Sequence, residues 1–423
     1  MRELKVYIEI QGREYYAGMI SGNGPSDAAF TYDEGYLSTG VPISVSLPFQ
    51  SGSFTPEETR CFFEGLLPEG FSRKSVAEWL HADEADYLTI LAGLGKECLG
   101  AIRIEDAADE MAERPSYEEL TIDQVKQLAA EGATKSTELL VRSHLSLTGA
   151  SGKVGLYLHD GKWYQPFGTA PSTHIVKQSH VRLQHIVENE RLALLTADKL
   201  GIPTIRSFIV NADAFRDSDI LLATERYDRD CSNSIREIDG LRCPLRLHQE
   251  DFAQALGIPG SAKYEPIGGG YLQRVFRLVR NVSADPLQDQ LRLLDMLIYD
   301  KLIGNTDNHI KNLSFLYAPD LRSVRLAPAY DLVSTLVYRE STADMSIAIA
   351  GEFRWDRITK DTFMEASEEM WLSKKIVARE YDRLLSALPS ALLEAAEQME
   401  AEGFMNAPEI ARKILELKES FSY

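Results

Sequence analysis

A change of pattern near the middle of the chain limits the folds open to it. From about residue 137 to 230 the sequence consists of short strand-like segments such as KVGLYLHD and THIVKQ, interrupted by one long helical segment from about 184 to 200. Beyond about residue 245 the sequence becomes mostly helical, most clearly in its last fifty residues. Alternation of apolar and polar residues indicates strands, and a 3.6-residue period indicates helices. The pattern therefore predicts a β-rich lobe followed by a larger helical lobe.

The first hundred residues predict a separate α+β unit. The segments KVYIEI and REYYAGMI alternate like strands. Thr55, followed by Pro56 and two glutamates, is typical of a helix start. Two further helices are expected over residues 72–80 and 83–94, and a strand is expected over 100–104.

An acidic segment separates this unit from the rest of the chain. Residues 105–119 hold seven acidic side chains, one Arg and few apolar residues. Such a composition cannot offset the entropy lost on ordering by burying apolar surface, so we expect a solvated linker. The expected divisions are an amino-terminal unit over 1–104, the acidic linker and the start of the core over 105–136, the β-rich lobe over 137–236 and the helical lobe over 237–423.

Composition argues against several classes of protein. The 423 residues carry 64 acidic against 45 basic side chains, a formal net charge of −19. Because phosphate binding is driven by Lys and Arg, this balance argues against a protein that holds nucleic acid mainly through its own surface. No window approaches the roughly eighteen uninterrupted apolar residues of a membrane span, and the four cysteines form no C-x-x-C pair. We therefore expect a cytoplasmic protein with no membrane contact.

The most informative motif is GNTDNHIKN, from Gly304 to Asn312. Its Asp307 and Asn312 are five positions apart, as are the catalytic Asp and the magnesium-binding Asn of protein kinases. Phosphoryl transfer needs a carboxylate to orient or deprotonate the attacking hydroxyl, and oxygen ligands for the Mg²⁺ ions that bridge the nucleotide phosphates. The spacing alone is a weak signal, because Asp and Asn occur together in many turns.

The neighbouring segments predict a second carboxylate beside this motif. A helix should end near Gly304 and place Asp307 on the loop that follows. The segments LSFLY and SVRL read as two strands of a hairpin, which would return Asp331 to the neighbourhood of Asn312. Two acids and an amide would then converge at one loop. The alternative is that all three side chains only cap turns and the next segment, which is their ordinary role.

A lysine and a glutamate upstream predict a buried ion pair. Lys177 lies on the strand-like segment THIVK, and Glu190 interrupts an apolar stripe of the helix that ends at Gly201. A carboxylate that faces a core is costly unless it is paired, and Lys177 on the neighbouring strand is the expected partner. Protein kinases hold the α and β phosphates with such a strand Lys and helix Glu. The alternative is an exposed Glu190 at the margin of the stripe and Lys177 on an outer strand face.

A glycine-rich segment precedes the Lys177 strand. Gly149 and Gly152 flank Ser151, and Lys153 follows, within SLTGASGKVG. Glycine lets backbone N–H groups approach phosphate oxygens closely. The spacing is not that of a Walker loop, and taken alone it is more typical of a tight hairpin. Its position before the Lys177 strand is that of a kinase glycine-rich loop.

With these residues aligned, the sequence resembles the HipA-type serine/threonine kinases, the toxins of bacterial HipBA toxin–antitoxin modules. The resemblance runs through nearly the whole chain. It implies an α+β, bilobed, protein-kinase-like fold with a β-rich small lobe, a mostly helical large lobe and an amino-terminal α+β subdomain. The matching motifs are SLP at 46–48, FFEGLLP at 62–68, LSLTGA at 145–150, THIVK at 173–177, ERYDR at 225–229, HQEDF at 248–252, KYE at 263–265, TDNHIKN at 306–312 and APAYD at 327–331.

The resemblance implies a role for each motif. Asp307 matches the catalytic base, Asn312 and Asp331 match the Mg²⁺ ligands, and Lys177 matches the lysine that binds the ATP phosphates. His309 is interpreted as a structural residue that donates a hydrogen bond to the carboxylates beside it and is not the base. The other matches are Gly149, Ser151, Gly152 and Lys153 in the phosphate-binding loop, and Glu225 and Tyr227 at the hinge that meets adenine.

Ser146 falls at the position where the family autophosphorylates. The loop departs from the family pattern after Ala150, at Ser151, Gly152 and Lys153, so Ser151 is a second candidate for that modification. The resemblance further implies a protein substrate, an aminoacyl-tRNA synthetase, and a small helix-turn-helix antitoxin of HipB type through which DNA would be bound indirectly. Two other hypotheses remain at this point, a lipid or small-molecule kinase and an inactive co-repressor or binding module.

Overall fold

The fold is α+β and bilobed, with an additional amino-terminal α+β unit. The computed structural model describes residues 1–109, 114–131, 153–178, 183–211 and 220–419. Within these ranges, a four-stranded sheet belongs to the amino-terminal unit and a six-stranded sheet to the small lobe. The large lobe carries the longest helices. The expected order of a β-rich lobe before a helical lobe is therefore confirmed.

The amino-terminal unit packs four helices against one antiparallel sheet with strand order β3-β2-β1-β4. The capping box expected at Thr55 is present, because its hydroxyl accepts from the Glu58 N–H while the Glu58 carboxylate accepts from the Thr55 N–H. The elements are β1 Arg2–Ile10, β2 Arg13–Gly22, β3 Ala29–Tyr32, α1 Glu34–Thr39, α2 Pro56–Phe63, α3 Gly70–Trp79, α4 Tyr87–Leu94 and β4 Ile102–Asp106.

The expectation of a solvated linker over 105–119 is wrong at both of its ends, since Glu105 and Asp106 belong to β4. Ser116–Glu119 forms β5, an edge strand of the small-lobe sheet, and Ile122–Glu131 forms α5. The reason is Tyr117, which is buried and donates a 2.7 Å hydrogen bond from its hydroxyl to the Pro171 carbonyl. One inward aromatic side chain on an edge strand outweighs the acidic composition around it.

The small lobe is an antiparallel sheet with strand order β5-β7-β6-β8-β10-β9. Its inner face packs β6, β8 and β10 against α5 through a small cluster of apolar side chains. The beginning of the predicted β-rich lobe, residues 137–152, lies outside the described residues. The further elements are β6 Lys153–His159, β7 Lys162–Phe167, β8 His174–Gln178, α6 Ile186–Lys199, β9 Ser207–Asn211 and β10 Ile220–Glu225.

The large lobe follows through a series of short strands and then becomes helical. Its bounds are β11 Arg229–Asp230, β12 Glu237–Ile238, β13 Leu241–Arg242, β14 Leu245–Arg246, β15 Gln249–Asp251, α7 Phe252–Leu256, α8 Tyr271–Val282, α9 Pro286–Ile303, β16 Ser314–Tyr317, β17 Val324–Leu326, β18 Asp344–Ile349, β19 Glu352–Arg354, α10 Lys360–Glu365, α11 Lys374–Ala401 and α12 Ala407–Glu419. Strands β15, β16 and β17 form one sheet, and α9 is mostly buried beside it.

All four cysteines are free thiols, and only Cys231 is exposed. Across the part of the chain that the structure describes, no helix combines the length and the apolar character needed to cross a membrane.

Candidate active site

An open cleft of about 850 Å³ lies where the two lobes and the amino-terminal unit meet. It is lined by residues from all three parts of the molecule. The predicted site residues that line it are Lys153, Lys177, Glu225, Tyr227, Asn312 and Asp331. Gly149, Ser151, Gly152 and the candidate modification site Ser146 lie outside the described residues.

Lys177 is the centre of charge in this cleft. It lies on β8, and its Nζ contacts the Glu190 carboxylate of α6 at 2.5 Å and also the carboxylate of Asp331. Burial by itself would lower the pKa of Lys177, but Asp331 and Glu190 raise it above its ordinary value. Burial raises the pKa of Glu190, against the opposing charge of Lys177. The buried Lys177–Glu190 pair expected from the sequence is therefore present, and Asp331 is a second carboxylate partner of Lys177.

A second lysine faces the same cleft. Lys153 on β6 is the cross-strand partner of Lys177 on β8, so the two side chains emerge on the same face of the sheet. Burial lowers the pKa of Lys153, and the charge of Lys177 adds to this effect while Asp331 opposes it. The two lysines on this face of the sheet are therefore set against the carboxylates of Glu190 and Asp331.

The turn that carries Asp307 is held by hydrogen bonds at both ends. Helix α9 ends at Gly304 in the left-handed conformation, φ 70°, a common way for a helix to stop. Asn305 then accepts from the Asp307 N–H at 3.2 Å, and the side-chain amide of Asn312 donates to the Asp307 carbonyl at 2.9 Å. Asp307 is exposed, although the residues on either side of it are buried. The carboxylate is thus presented to solvent on a closed turn.

The hairpin expected after Asn312 is present and returns the chain to the cleft. In the β16–β17 register, Phe315 pairs with Leu326, and the Tyr330 hydroxyl donates to the Lys311 carbonyl at 3.0 Å. The next residue, Asp331, has a left-handed backbone with φ 53°, which is uncommon outside glycine. Such a conformation is retained where the surrounding contacts hold it.

Asp331 does not cap a helix, which was the alternative interpretation of this residue. Its carboxylate meets Lys177. Burial would raise the pKa of Asp331, but Lys177 and Lys153 together lower it below its ordinary value. Asp331 is therefore a carboxylate anion in the cleft, whose lining also includes Asn312.

The expected hydrogen bond from His309 to the carboxylates is absent. His309 is buried, its Nδ1 has no hydrogen-bond partner among the described residues, and its ring meets the ring of Tyr264 edge-on at 5.3 Å between centroids. Burial lowers its pKa to about 4, so the imidazole is neutral. His309 packs against Tyr264 within the Asp307 turn, and this ring contact stands in place of the hydrogen bond expected from the sequence.

Sequence reasoning missed a group of charges that holds the Asp307 turn to the amino-terminal unit. Lys311, within the turn, contacts Glu69 at 3.0 Å and Asp251 at 3.3 Å. Glu69 also contacts Lys263 at 2.8 Å, and the two lysines overcome the effect of burial and lower the pKa of Glu69 to about 2. The only sequence signal was that Lys263 and Lys311 both lie in motifs matched to the HipA kinases.

A second cluster that was missed lies under the hinge. The Glu97 carboxylate of the amino-terminal unit contacts three guanidinium groups, those of Arg226 and Arg229 at 2.8 Å and that of Arg246 at 2.7 Å. Asp228 contacts Arg226 at 2.7 Å. This hinge cluster joins the amino-terminal unit to the hinge residues, whereas the sequence interpretation of ERYDR considered only contacts with adenine.

The hinge itself borders the cleft. The ring of Tyr227 stacks on that of Tyr330, with 6.0 Å between centroids, and its hydroxyl donates to Gln249. The backbone N–H groups of Glu225 and Arg226 already donate to carbonyl groups of neighbouring segments. Glu225 and Tyr227 are therefore both at the cleft, as predicted, but the Glu225 N–H is not free for a ligand.

Comparison with known proteins identifies the family. A family model described as HipA-like C-terminal domain matches residues 145–392, which is more than half of the chain, and one described as HipA N-terminal domain matches residues 8–105. The chain belongs to the HipA family. Its relatives include the Sinorhizobium fredii protein Y4mE, 32% identical over 390 residues that cover 90% of this chain and 89% of that protein.

Two further HipA comparisons cover almost the full length. The serine/threonine-protein kinase toxin HipA of Shewanella oneidensis is 26% identical over 92% of this chain and 88% of its own length. The solved structure of the Shewanella oneidensis MR-1 toxin–antitoxin system, containing HipA, HipB and operator DNA, superposes with a TM-score of 0.79 at 24% identity and covers 97% of this chain and 96% of that one. The HipA fold is thus shared along the whole chain.

Proposed function

We propose that this HipA-family protein is an ATP- and Mg²⁺-dependent kinase that phosphorylates a serine or threonine of another protein. The observation that carries the proposal is the convergence of Lys177, Glu190 and Asp331 in one cleft that Asn312 also lines, with Asp307 presented on the adjoining turn. Phosphoryl transfer needs these elements, and little covalent chemistry from the protein itself.

The residues of the cleft fit ATP with magnesium. Asn312 uses the nitrogen of its amide to hold Asp307, which leaves its oxygen as the end available to a cation. Among the described residues no group of three or more His, Cys, Asp or Glu is arranged around a metal. Asn312 and Asp331 suit Mg²⁺ all the same, because this ion is commonly held by one or two protein oxygens together with nucleotide phosphates. Bound magnesium would neutralise charge that develops on the transferred phosphoryl group.

Each side chain then has a separate task. Lys177 would bind the α and β phosphates while Glu190 keeps its ammonium in place. Asp307 would accept the proton of the acceptor hydroxyl as that oxygen attacks the γ-phosphorus. Lys153, in the segment after the glycine-rich loop, would add positive charge above the phosphates. At the hinge, adenine would stack near Tyr227 and meet backbone groups other than the two N–H groups already in use.

The family supplies the biological part of the proposal. One relative is named a serine/threonine-protein kinase toxin, and the similar solved structure contains HipB and operator DNA. We propose by analogy that this protein is the toxin of a type II system, with a small helix-turn-helix antitoxin as its partner and an aminoacyl-tRNA synthetase as its substrate. Autophosphorylation would fall on Ser146, or on Ser151, both outside the described residues.

A transfer assay tests the kinase proposal. The purified protein is incubated with [γ-³²P]ATP and MgCl₂ and with one of three acceptors, namely soluble proteins of a bacterial lysate, dephosphorylated casein or phosphoinositide vesicles. We expect label on serine or threonine of protein acceptors, and Asp307→Asn should reduce the rate by about 10²- to 10⁴-fold, as loss of a general base does.

The other outcomes separate the rival hypotheses. Label confined to lipid would establish a lipid kinase in place of a protein kinase. No label on any acceptor, with no binding of ATP in the presence of Mg²⁺, would leave an inactive binding module. Expression in a bacterial host provides the matching cellular test, since growth arrest by the wild-type chain should disappear in Asp307→Asn.

A further inference from the structure

The Lys-Tyr-Glu motif at 263–265 has no part in the reaction described above, yet its middle residue touches the catalytic carboxylate. The Tyr264 hydroxyl donates a 2.8 Å hydrogen bond to Oδ1 of Asp307. Half of the Tyr264 side chain is exposed, and its ring rests edge-on against His309. Burial and the charge of Asp307 raise the pKa of this phenol above its ordinary value, so it is protonated and acts as a donor.

The residue before Tyr264 is anchored to the amino-terminal unit. Lys263 contacts Glu69 at 2.8 Å, and Glu69 contacts Lys311 at 3.0 Å. Because Lys311 belongs to the same turn as Asp307, one carboxylate fixes both the segment of Tyr264 and the turn that Tyr264 contacts. The distance between phenol and carboxylate is therefore set by a shared support.

The residue after Tyr264 is anchored to the large lobe. The Glu265 carboxylate accepts the N–H groups of Tyr271 at 3.0 Å and Ala348 at 2.8 Å, and the Glu265 N–H donates to the Ser346 carbonyl at 3.0 Å. These contacts on both sides fix the backbone of Tyr264, so its side chain can leave Asp307 only by rotating about its own bonds. Such a rotation gives up the hydroxyl bond to Asp307 and the ring contact with His309, which favours the position of Tyr264 on Asp307.

The surroundings of Asp307 leave a second approach open. Tyr264 and Asp307 share the lining of an open groove of about 1190 Å³, together with residues that include Ile267 and Phe353. The nucleotide cleft lies on the other side of the turn, where it is lined by His309 and Asn312. Asp307 thus lines the groove, Asn312 of the same turn lines the cleft, and a protein segment bearing the acceptor hydroxyl can reach Asp307 through the groove.

We propose that Tyr264 is a positioning residue for phosphoryl transfer, whose hydroxyl holds one oxygen of the Asp307 carboxylate so that the other oxygen faces the acceptor hydroxyl. The inference rests on the proposed kinase function. A carboxylate has two oxygens and about four acceptor positions, so the Tyr264 bond leaves room for the acceptor hydroxyl. Fixing the plane of the carboxylate removes rotational freedom that the transition state would otherwise have to lose.

The test is Tyr264→Phe, which keeps the ring against His309 and removes only the hydroxyl. A hydrogen bond to a charged group is worth a factor of roughly ten to a hundred, so kcat for transfer from [γ-³²P]ATP to dephosphorylated casein should fall by about that factor. KM for ATP should not change, because Tyr264 does not line the nucleotide cleft. The melting temperature should change little, because Tyr264 is half exposed and the variant keeps its ring. The matched control is Tyr36→Phe, which removes a 2.7 Å hydroxyl bond to the Val41 carbonyl, away from cleft and groove.

The outcomes are distinct. A fall in kcat at constant KM for ATP, together with wild-type kcat in Tyr36→Phe, supports the inference. An unchanged or increased kcat in Tyr264→Phe overturns it, as does a loss that comes with a matching loss of ATP affinity or thermal stability. Absence of transfer by the wild-type chain, on casein and on lysate proteins alike, would overturn the proposed kinase function and this inference with it.

Discussion

The cleft and the hinge cluster both bury several charges, but they differ in access to solvent and in how their charges are matched. Under the hinge, the side chains of Glu97 and Arg226 have no exposed surface, and both Glu97 oxygens accept from guanidinium groups. In the cleft, the side chain of Asp331 is 34% exposed, and the single ammonium of Lys177 serves two carboxylates. The first cluster is closed, and all the carboxylate oxygens of Glu97 and Asp228 are bonded, although Nε of Arg229 has no partner among the described residues. In the cleft, the partly exposed Asp331 can exchange Lys177 for another partner.

This difference teaches which buried charges can take part in chemistry. When every acceptor in a cluster is already bonded and no ligand can enter, the cluster contributes only to folding and to the specificity of packing. Lys177 bridges Glu190 and Asp331. If a cation bound Asp331, Lys177 could remain paired with Glu190 and bind a phosphate group at the same time. Strongly shifted pKa values occur in both regions, so geometry and access decide between them.

The largest expected effect on stability is at the hinge cluster. Glu97→Gln removes the charge that faces three buried arginines, and breaking a buried ion pair in this way typically costs about 3–5 kcal/mol. Urea denaturation followed by tryptophan fluorescence measures the loss. The control is Glu119→Gln, since Glu119 is paired with Lys162 at the surface and should have no measurable effect. Equal stability of the two variants would refute the distinction between the regions.

A smaller loss of stability is expected when the pH is lowered. Burial tends to raise the pKa of Glu97, but the three arginines lower it from 4.5 to about 2. A carboxylate with a lowered pKa stabilises the fold above its unfolded pKa, and this contribution is lost as pH falls through the folded pKa. On the order of 3 kcal/mol is then lost between about pH 4.5 and pH 2. Urea midpoints at pH 5, 4 and 3 should fall more steeply for the wild-type protein than for Glu97→Gln, and parallel curves would contradict the assignment.

The smallest expected effect on stability comes from the cleft. Lys177→Met leaves Glu190 and Asp331 without their shared ammonium, but Lys153 remains to face Asp331, and Glu190, whose pKa burial already raises, can take up a proton. We therefore expect a loss of unfolding free energy less than half that of Glu97→Gln. Transfer of phosphate should nevertheless fall by about 10²-fold or more, as when a group that stabilises transition-state charge is removed. If Lys177→Met proved as unstable as Glu97→Gln, the role of Lys177 would be mainly structural.

Much of the cleft could be predicted because local patterns determine it. The helix that ends at Gly304, the hairpin after Asn312 and the Lys177–Glu190 pair each follow from spacing within a short segment. The return of Asp331 followed from antiparallel pairing alone. Its left-handed backbone and its contact with Lys177 could not be predicted, because they depend on how the two lobes meet.

The errors have one common cause, which is contact between distant segments. Tyr117 makes an edge strand of an acidic segment because a partner sheet lies beside it. Glu97 and Arg246 are 149 positions apart, and Glu69 and Lys311 are more than 240 apart, so no local pattern pairs them. His309 lies near carboxylates in sequence, but its ring turns toward Tyr264. Charged side chains that are solvated in most proteins are buried here, where the amino-terminal unit contacts the large lobe.

The most direct test of the account is calorimetric titration of ATP into the purified protein with and without Mg²⁺, for the wild-type chain and for Asp331→Asn. If the cleft is a magnesium–nucleotide site, the wild-type chain should bind ATP markedly more tightly with Mg²⁺ present, and Asp331→Asn should lose most of that gain while it remains folded. Binding that is absent in the wild-type chain, or equally dependent on Mg²⁺ in both proteins, would contradict the assignment of the cleft.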